Sequence, residues 1–179
     1  ADGDVTGWFT VGGAGANIVL TAITAAGDDG TMNLAQIHGG SIGIVAAAVS
    51  ANTTAGVAPV LQVETMTVDA LTAITADGHV TVIVTAAGMA GTPKSLEVAV
   101  VNADDPAAVG GKIRTALNAD GDVTALYTVG GAGSNATLTK ITAAANDATL
   151  NVEQKDGASN GIVADATSTD TTAGNAGTL

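Results

Sequence analysis

Residues 1–61 of this chain align without a gap onto residues 119–179, at a constant offset of 118 and with roughly 37 of 61 positions identical. Ala-Asp-Gly-Asp-Val-Thr opens both copies, at Ala1 and at Ala119. Thr10-Val-Gly-Gly-Ala-Gly15 matches Thr128-Val-Gly-Gly-Ala-Gly133, Ile23-Thr-Ala-Ala26 matches Ile141-Thr-Ala-Ala144, and Thr53-Thr-Ala-Gly56 matches Thr171-Thr-Ala-Gly174. Residues 62–118 occur once, between the copies, so the repeat is about 118 residues and the 179-residue chain holds one and a half of them. The expected organisation is an all-β half-module over 1–61, the second half of a repeat, followed over 62–179 by a complete module of hairpin, helix and β half. An unmatched half predicts further repeats upstream, or completion by a neighbouring molecule.

The side-chain period supplies the elements. His79-Val-Thr-Val-Ile-Val-Thr85 is rich in β-branched residues and reads as a strand. Ala86 to Pro93 supplies a loop, and Lys94 to Val101 a second strand with Leu96, Val98 and Val100 on one face. Asp104-Asp105-Pro106 is a helix start with an Asp cap and Pro in the first turn, after which Val109, Ile113, Ala116 and Leu117 form one apolar face. Gly110 and Gly111 weaken this helix by about 1 kcal/mol each relative to Ala, so packing must hold it. The duplicated part carries strand signals only, at Trp8 to Val11, Asn17 to Thr24, Met32 to Ile37 and Gly43 to Ala48, with counterparts in the second copy. Short strands separated by Gly-rich turns, with one amphipathic helix per complete repeat, predict a β-dominated α+β fold of tandem small antiparallel modules.

Composition narrows the partners. Only Trp8, Phe9 and Tyr127 are aromatic and Cys is absent, so a core must come from Val, Ile, Leu and Ala, and neither a disulfide framework nor a thiolate metal site is available. With 17 acidic residues against 5 basic ones, the formal charge is -12, and no Lys or Arg precedes Lys94. Nucleic acid and anionic membrane surfaces need clustered cations, and no apolar run approaches the ~20 residues of a membrane span, so neither partner is expected.

Four segments carry a family resemblance: Val80 to Pro93, the helix Ala107 to Leu117, Asp122-Val-Thr-Ala-Leu-Tyr127, and Ala144-Ala-Asn-Asp-Ala-Thr-Leu-Asn151. Together they resemble a repeat module of tailed-phage and prophage structural proteins, especially tail proteins. Lys112-Ile-Arg-Thr-Ala-Leu-Asn118, Val123 and Thr137-Leu-Thr139 are also similar to the small α+β motif inserted in flagellin and hook-associated proteins. Both families build extracellular polymers, so the resemblance implies an extracellular or virion location and a mechanical role, and carries over no catalytic residue. Neither a tail-tube core domain nor long terminal coiled-coil helices accompany it, so it identifies a module and not a whole particle.

Candidate chemistry is sparse. His38 and His79 are the only histidines, the second copy has Asp156 in place of His38, and no Ser or Cys forms a nucleophile motif with either, so no enzyme is expected. Val11-Gly-Gly-Ala-Gly15 precedes a strand and not a helix, which makes it a hairpin turn and not a phosphate loop. Asp120 and Asp122, with their counterparts Asp2 and Asp4, offer closely spaced oxygens for calcium, although no bidentate Glu follows at the spacing an EF-type loop requires. Asn52-Thr-Thr54 and Asn135-Ala-Thr137 match the N-glycosylation pattern. Trp8 and Phe9 align with Leu126 and Tyr127 and read as core, as an interface between modules, or as a sugar-stacking platform.

Two functions follow. The first is a self-assembling structural repeat of a filament or phage-tail-like fibre, its half-module completed by a neighbour through a contact that includes Trp8, Phe9, Ile18 and Leu20. The alternative is a cell-surface or virion adhesin that binds glycan, with calcium as stabiliser.

Overall fold

The computed structural model describes residues 3–37, 47–68, 73–155 and 165–178. The fold is α+β and dominated by antiparallel strands, arranged among the described residues in four small sheets. Two units divide the chain: Ala1–Pro59 with Ala176–Leu179, and Val60–Asn175.

The first unit holds α1 (Gly3–Thr6), β1 (Phe9–Gly12), β2 (Val19–Ala22), β3 (Ala35–Gln36) and β4 (Ala48–Val49). β1 and β2 form one hairpin, with Phe9 opposite Ala22 and Gly12 opposite Val19, while β3 and β4 pair through Ala35–Val49 and Gln36–Ala48. The hairpin turn needs its glycines. Gly13 has φ of 114°, and a Cβ there would stand 2.2 Å from the Asn17 carbonyl oxygen. The C-terminal segment also belongs to this unit, where Val57 and Thr178 exchange backbone hydrogen bonds.

The second unit contains β5 (Val63–Thr67), β6 (Gly78–Thr85), β7 (Lys94–Val100), α2 (Pro106–Ala119), α3 (Gly121–Thr124), β8 (Tyr127–Gly130), β9 (Asn135–Lys140), β10 (Asn151–Lys155), β11 (Ala166–Thr167) and β12 (Thr169–Thr172). They form two four-stranded sheets, ordered β11-β10-β6-β7 and β12-β5-β9-β8. Inward-facing Val80, Val82 and Val84 of β6, Val98 and Val100 of β7, Met66 of β5, Leu138 of β9 and Val152 of β10 join one core. α2 closes it with Val109, Ile113 and Leu117, the face its spacing predicts. Its start is also as predicted: Pro106 opens the helix and Asp105 Oδ1 accepts the Ala108 N–H at 2.7 Å.

Several elements differ from the sequence expectation. Each copy contains a single helical turn, α1 or α3, where only strands are expected; in the second copy Asp120 caps it by accepting the N–H groups of Asp122 and Val123 at 3.0 and 3.1 Å. β5 has no counterpart in the sequence reading, because its inward side begins with Gln62 and Glu64 before Met66 and Val68, and two buried polar residues hide the period. Met32 to Ile37 reads as a six-residue strand but pairs only at Ala35 and Gln36, while most of the strand expected at Gly43 to Ala48 lies outside the described residues.

Candidate functional site

The two copies pair their strands in the same register. Phe9–Ala22 and Gly12–Val19 in the first hairpin are Tyr127–Lys140 and Gly130–Thr137 in the second, and Gln36–Ala48 is Gln154–Ala166. One hydrogen bond is even kept with its chemistry reversed. The Asn52 amide donates to Asp28 in the first copy, and at the same two positions the Asn146 amide donates to Asp170 in the second. What the copies do not share is cover. In the second unit β9 pairs with β5 and β10 pairs with β6; in the first, among the described residues, β2 pairs with β1 alone and β3 with β4 alone.

The consequence is written in the burial. Val123 is fully buried and its counterpart Val5 is 40% exposed; Leu150 and Val152 are 6% and 1% exposed, whereas Met32 and Leu34 stand at 43% and 38%. None of the described residues from 3 to 61 is buried. The four residues expected at an assembly contact lie on or beside this uncovered hairpin: Trp8 is 73% and Ile18 66% exposed, and Phe9 and Leu20 are half-buried. Their counterparts Tyr127, Ala136 and Leu138 are all in the core, with Leu126 packed against it. Strand length follows from the same cause, since β2 has four residues against six in β9, and β3 two against five in β10.

Residues 62–118 hold their half of the second unit through polar anchors that the sequence did not disclose. Gln62 makes a reciprocal pair with the Asp147 backbone, its Nε2 donating to the carbonyl at 3.0 Å and its Oε1 accepting the N–H at 2.8 Å. The Gln62 carbonyl accepts the Lys140 N–H at 2.9 Å. Asp147 Oδ2 accepts the Ala87 N–H at 2.8 Å, while its Oδ1 accepts from Thr149, an internal turn that Asp29 and Thr31 repeat in the first copy. Glu64 lies 2.7 Å from the Ser168 hydroxyl. At the far end, Arg114 of α2 donates to the carbonyls of Gly133 and Asn135 in the hairpin turn. The sequence signal for these anchors is identity between the copies, Asp29 with Asp147 and Ser50 with Ser168.

The electrostatics fit buried anchors. Burial pushes the Glu64 carboxyl above its ordinary range, with Asp170 adding to the effect and Ser168 opposing it. Burial works in the same direction on Asp147, but hydrogen bonds from Thr149 and the Ala87 N–H outweigh it and hold Asp147 below the ordinary carboxylate value. Burial raises Tyr127 to about 12, helped by the negative charges of Asp147 and Glu64.

The carboxylates singled out for calcium have protein partners. Lys94 of β7 places its ammonium 3.2 Å from Asp120 and also pairs with Asp122, so a cation of the protein's own sits at that turn. Of their counterparts, Asp4 is exposed and Asp2 lies outside the described residues, as do His38 and Asp156. His79 is exposed on β6. Both sequon asparagines are engaged: Asn52 with Asp28, and Asn135 accepting from the Thr67 hydroxyl at 2.9 Å. No helix among the described residues is long and apolar enough to cross a membrane. No protein-family model, curated protein or solved structure matches the chain.

Proposed function

We propose that this chain is a structural repeat of an extracellular filament or phage-tail-like fibre, in which half-modules are joined by completion of their open sheets. The observation that carries the reading is the pair of matching half-folds, one covered by residues 62–118 and one presenting apolar residues at the corresponding positions, with its strand edges, to solvent. An open edge with an apolar face is a template for another strand, and a repeat that ends in such an edge is a joint. The polar anchors on Asp147 and Ser168 give the joint its register, and the acidic surface opposes association elsewhere. Negative-stain electron microscopy at near-neutral pH, with intact mass on the same sample, tests it: filaments or tubes are expected from chains carrying tandem repeats, and dispersed particles of monomer mass at every repeat number overturn it.

The exposure of Trp8 supports a second reading, a glycan-binding module of a cell surface or virion that stacks sugar on the indole. It requires glycan binding that is lost on Trp8→Ala, and silence across a glycan array rejects it.

A further inference from the structure

Residues 1–179 include one segment of the 62–118 kind and two halves that fit it, 1–61 and 119–179, and among the described residues only the second half has that segment against it. Resting on the structural reading above, we infer that the open face of the first half-module takes an additional segment of the 62–118 pattern, a β5-like strand, a β6–β7-like hairpin and an α2-like helix, entering directly ahead of α1. The entry point follows from the second unit, where α2 ends at Ala119 and α3 begins at Gly121.

The register is set by the covered copy. Met66 opposite Ala136 and Glu64 opposite Leu138 translate into a β5-like strand along Asn17 to Ala22, with its Met66 position facing Ile18 and its Glu64 position facing Leu20. Val84 opposite Val152 and Val82 opposite Gln154 translate into a β6-like strand along Leu34 and Gln36. A Gln at the Gln62 position then meets the Asp29 backbone, and the N–H at the Ala87 position meets the Asp29 carboxylate, which the turn to Thr31 already orients. The helix lies against the Gly13 to Gly15 turn, as Gly110 lies against Gly133 and Ser134.

Where the β5-like strand would pair, one difference between the halves bears on the choice of side chain. Ile18 stands where the second unit has Ala136, 2% exposed beneath a fully buried Met66. Three more carbons on the receiving side leave no room for Met, so the segment that fits has a small residue there.

The test extends the full chain by a second copy of residues 62–118 joined ahead of residue 1, once unaltered and once with Met66→Ala in the added copy. In the Met66→Ala version, backbone amides of Asn17 to Ala22 and Leu34 to Gln36 are expected to exchange about 100-fold more slowly than in the 179-residue chain, and Trp8 emission shifts to the blue. The unaltered version gives weaker protection. A third version with Val82→Asp in the added copy returns both signals to those of the unextended chain. Protection equal in all three versions, or absent while β9 and β10 of the second unit stay protected, overturns the inference. Electron microscopy of the unextended chain, whose edge is still open, separates it from the reading on which it rests: protected edges in the extended chain keep the segment whether or not the unextended chain forms filaments, and dispersed particles of the unextended chain reject the fibre alone.

Discussion

Gly110 and Gly111 are neighbours in α2, yet adding one methyl group to each is expected to move stability in opposite directions. In an isolated helix either Gly→Ala change gains about 1 kcal/mol, because Ala has less backbone freedom to lose. At Gly111 a Cβ meets only the Arg114 guanidinium, at 3.7 Å, an ordinary contact with the mobile end of a side chain. Most of the gain is therefore realised, about 0.5–1 kcal/mol. At Gly110 the same Cβ falls 2.6 Å from the Gly133 carbonyl oxygen and 2.9 Å from the Ser134 Cα and carbonyl carbon, all backbone. The helix must retreat from the hairpin turn by a sizeable fraction of an ångström. Retreat loosens Val109, Ile113 and Leu117 in the core and lengthens the Arg114 hydrogen bonds to Gly133 and Asn135. Overpacking of this kind costs about 1–3 kcal/mol and the loosened contacts add to it, so after the propensity gain the net loss is about 2 kcal/mol. Urea unfolding followed by far-UV circular dichroism, with Trp8 fluorescence recorded alongside to follow the first unit, measures both variants. Equal stabilisation by the two substitutions would refute the argument, since it would mean that helix and turn do not limit each other's approach.

Two further outcomes follow from the geometry. Asn52→Asp sets two carboxylates against each other and should cost about 1 kcal/mol, and adding Asp28→Asn should restore the loss, because Asn146 and Asp170 make that same bond reversed in the second copy. Failure of the double variant to recover in a double-mutant cycle of thermal unfolding would separate the two positions. Glu64→Gln addresses the buried carboxyl beside Ser168. Because the folded state raises the Glu64 pKa, the folded protein binds that proton more tightly than the unfolded one, and stability falls as pH rises through the raised value. Gln removes the buried charge, so the variant should gain on the order of 1 kcal/mol at pH 7 and lose the advantage as pH drops below the ordinary Glu range. Asp147 and Asp120 have the opposite sign: both are lowered, so their contribution is present above the ordinary Asp value and lost as acid titrates them through the lower folded one. A pH-independent difference between wild type and Glu64→Gln in urea titrations would contradict the assignment.

Local signals in the sequence determined much of what the fold contains. The offset of 118 required two copies of one half-fold, and the matched registers of the two hairpins are that requirement met. Asp105-Pro106 and the spacing of Val109, Ile113 and Leu117 placed α2, and the alternation of Val80, Val82 and Val84 against Leu96, Val98 and Val100 placed the β6–β7 hairpin, because cap chemistry and side-chain period are properties of the chain next to itself. Tertiary structure decided the rest. β5 is a strand because β9 and β12 flank it, with Gln62 and Glu64 buried against Asp147 and Ser168 more than 80 residues away, and no local pattern announces that pairing. Matched segments also have different fates for a reason outside themselves. Val123 is buried and Val5 is not, and β10 runs five residues where β3 runs two, because burial and strand length are set by what lies opposite, and only one of the two halves has 62–118 against it.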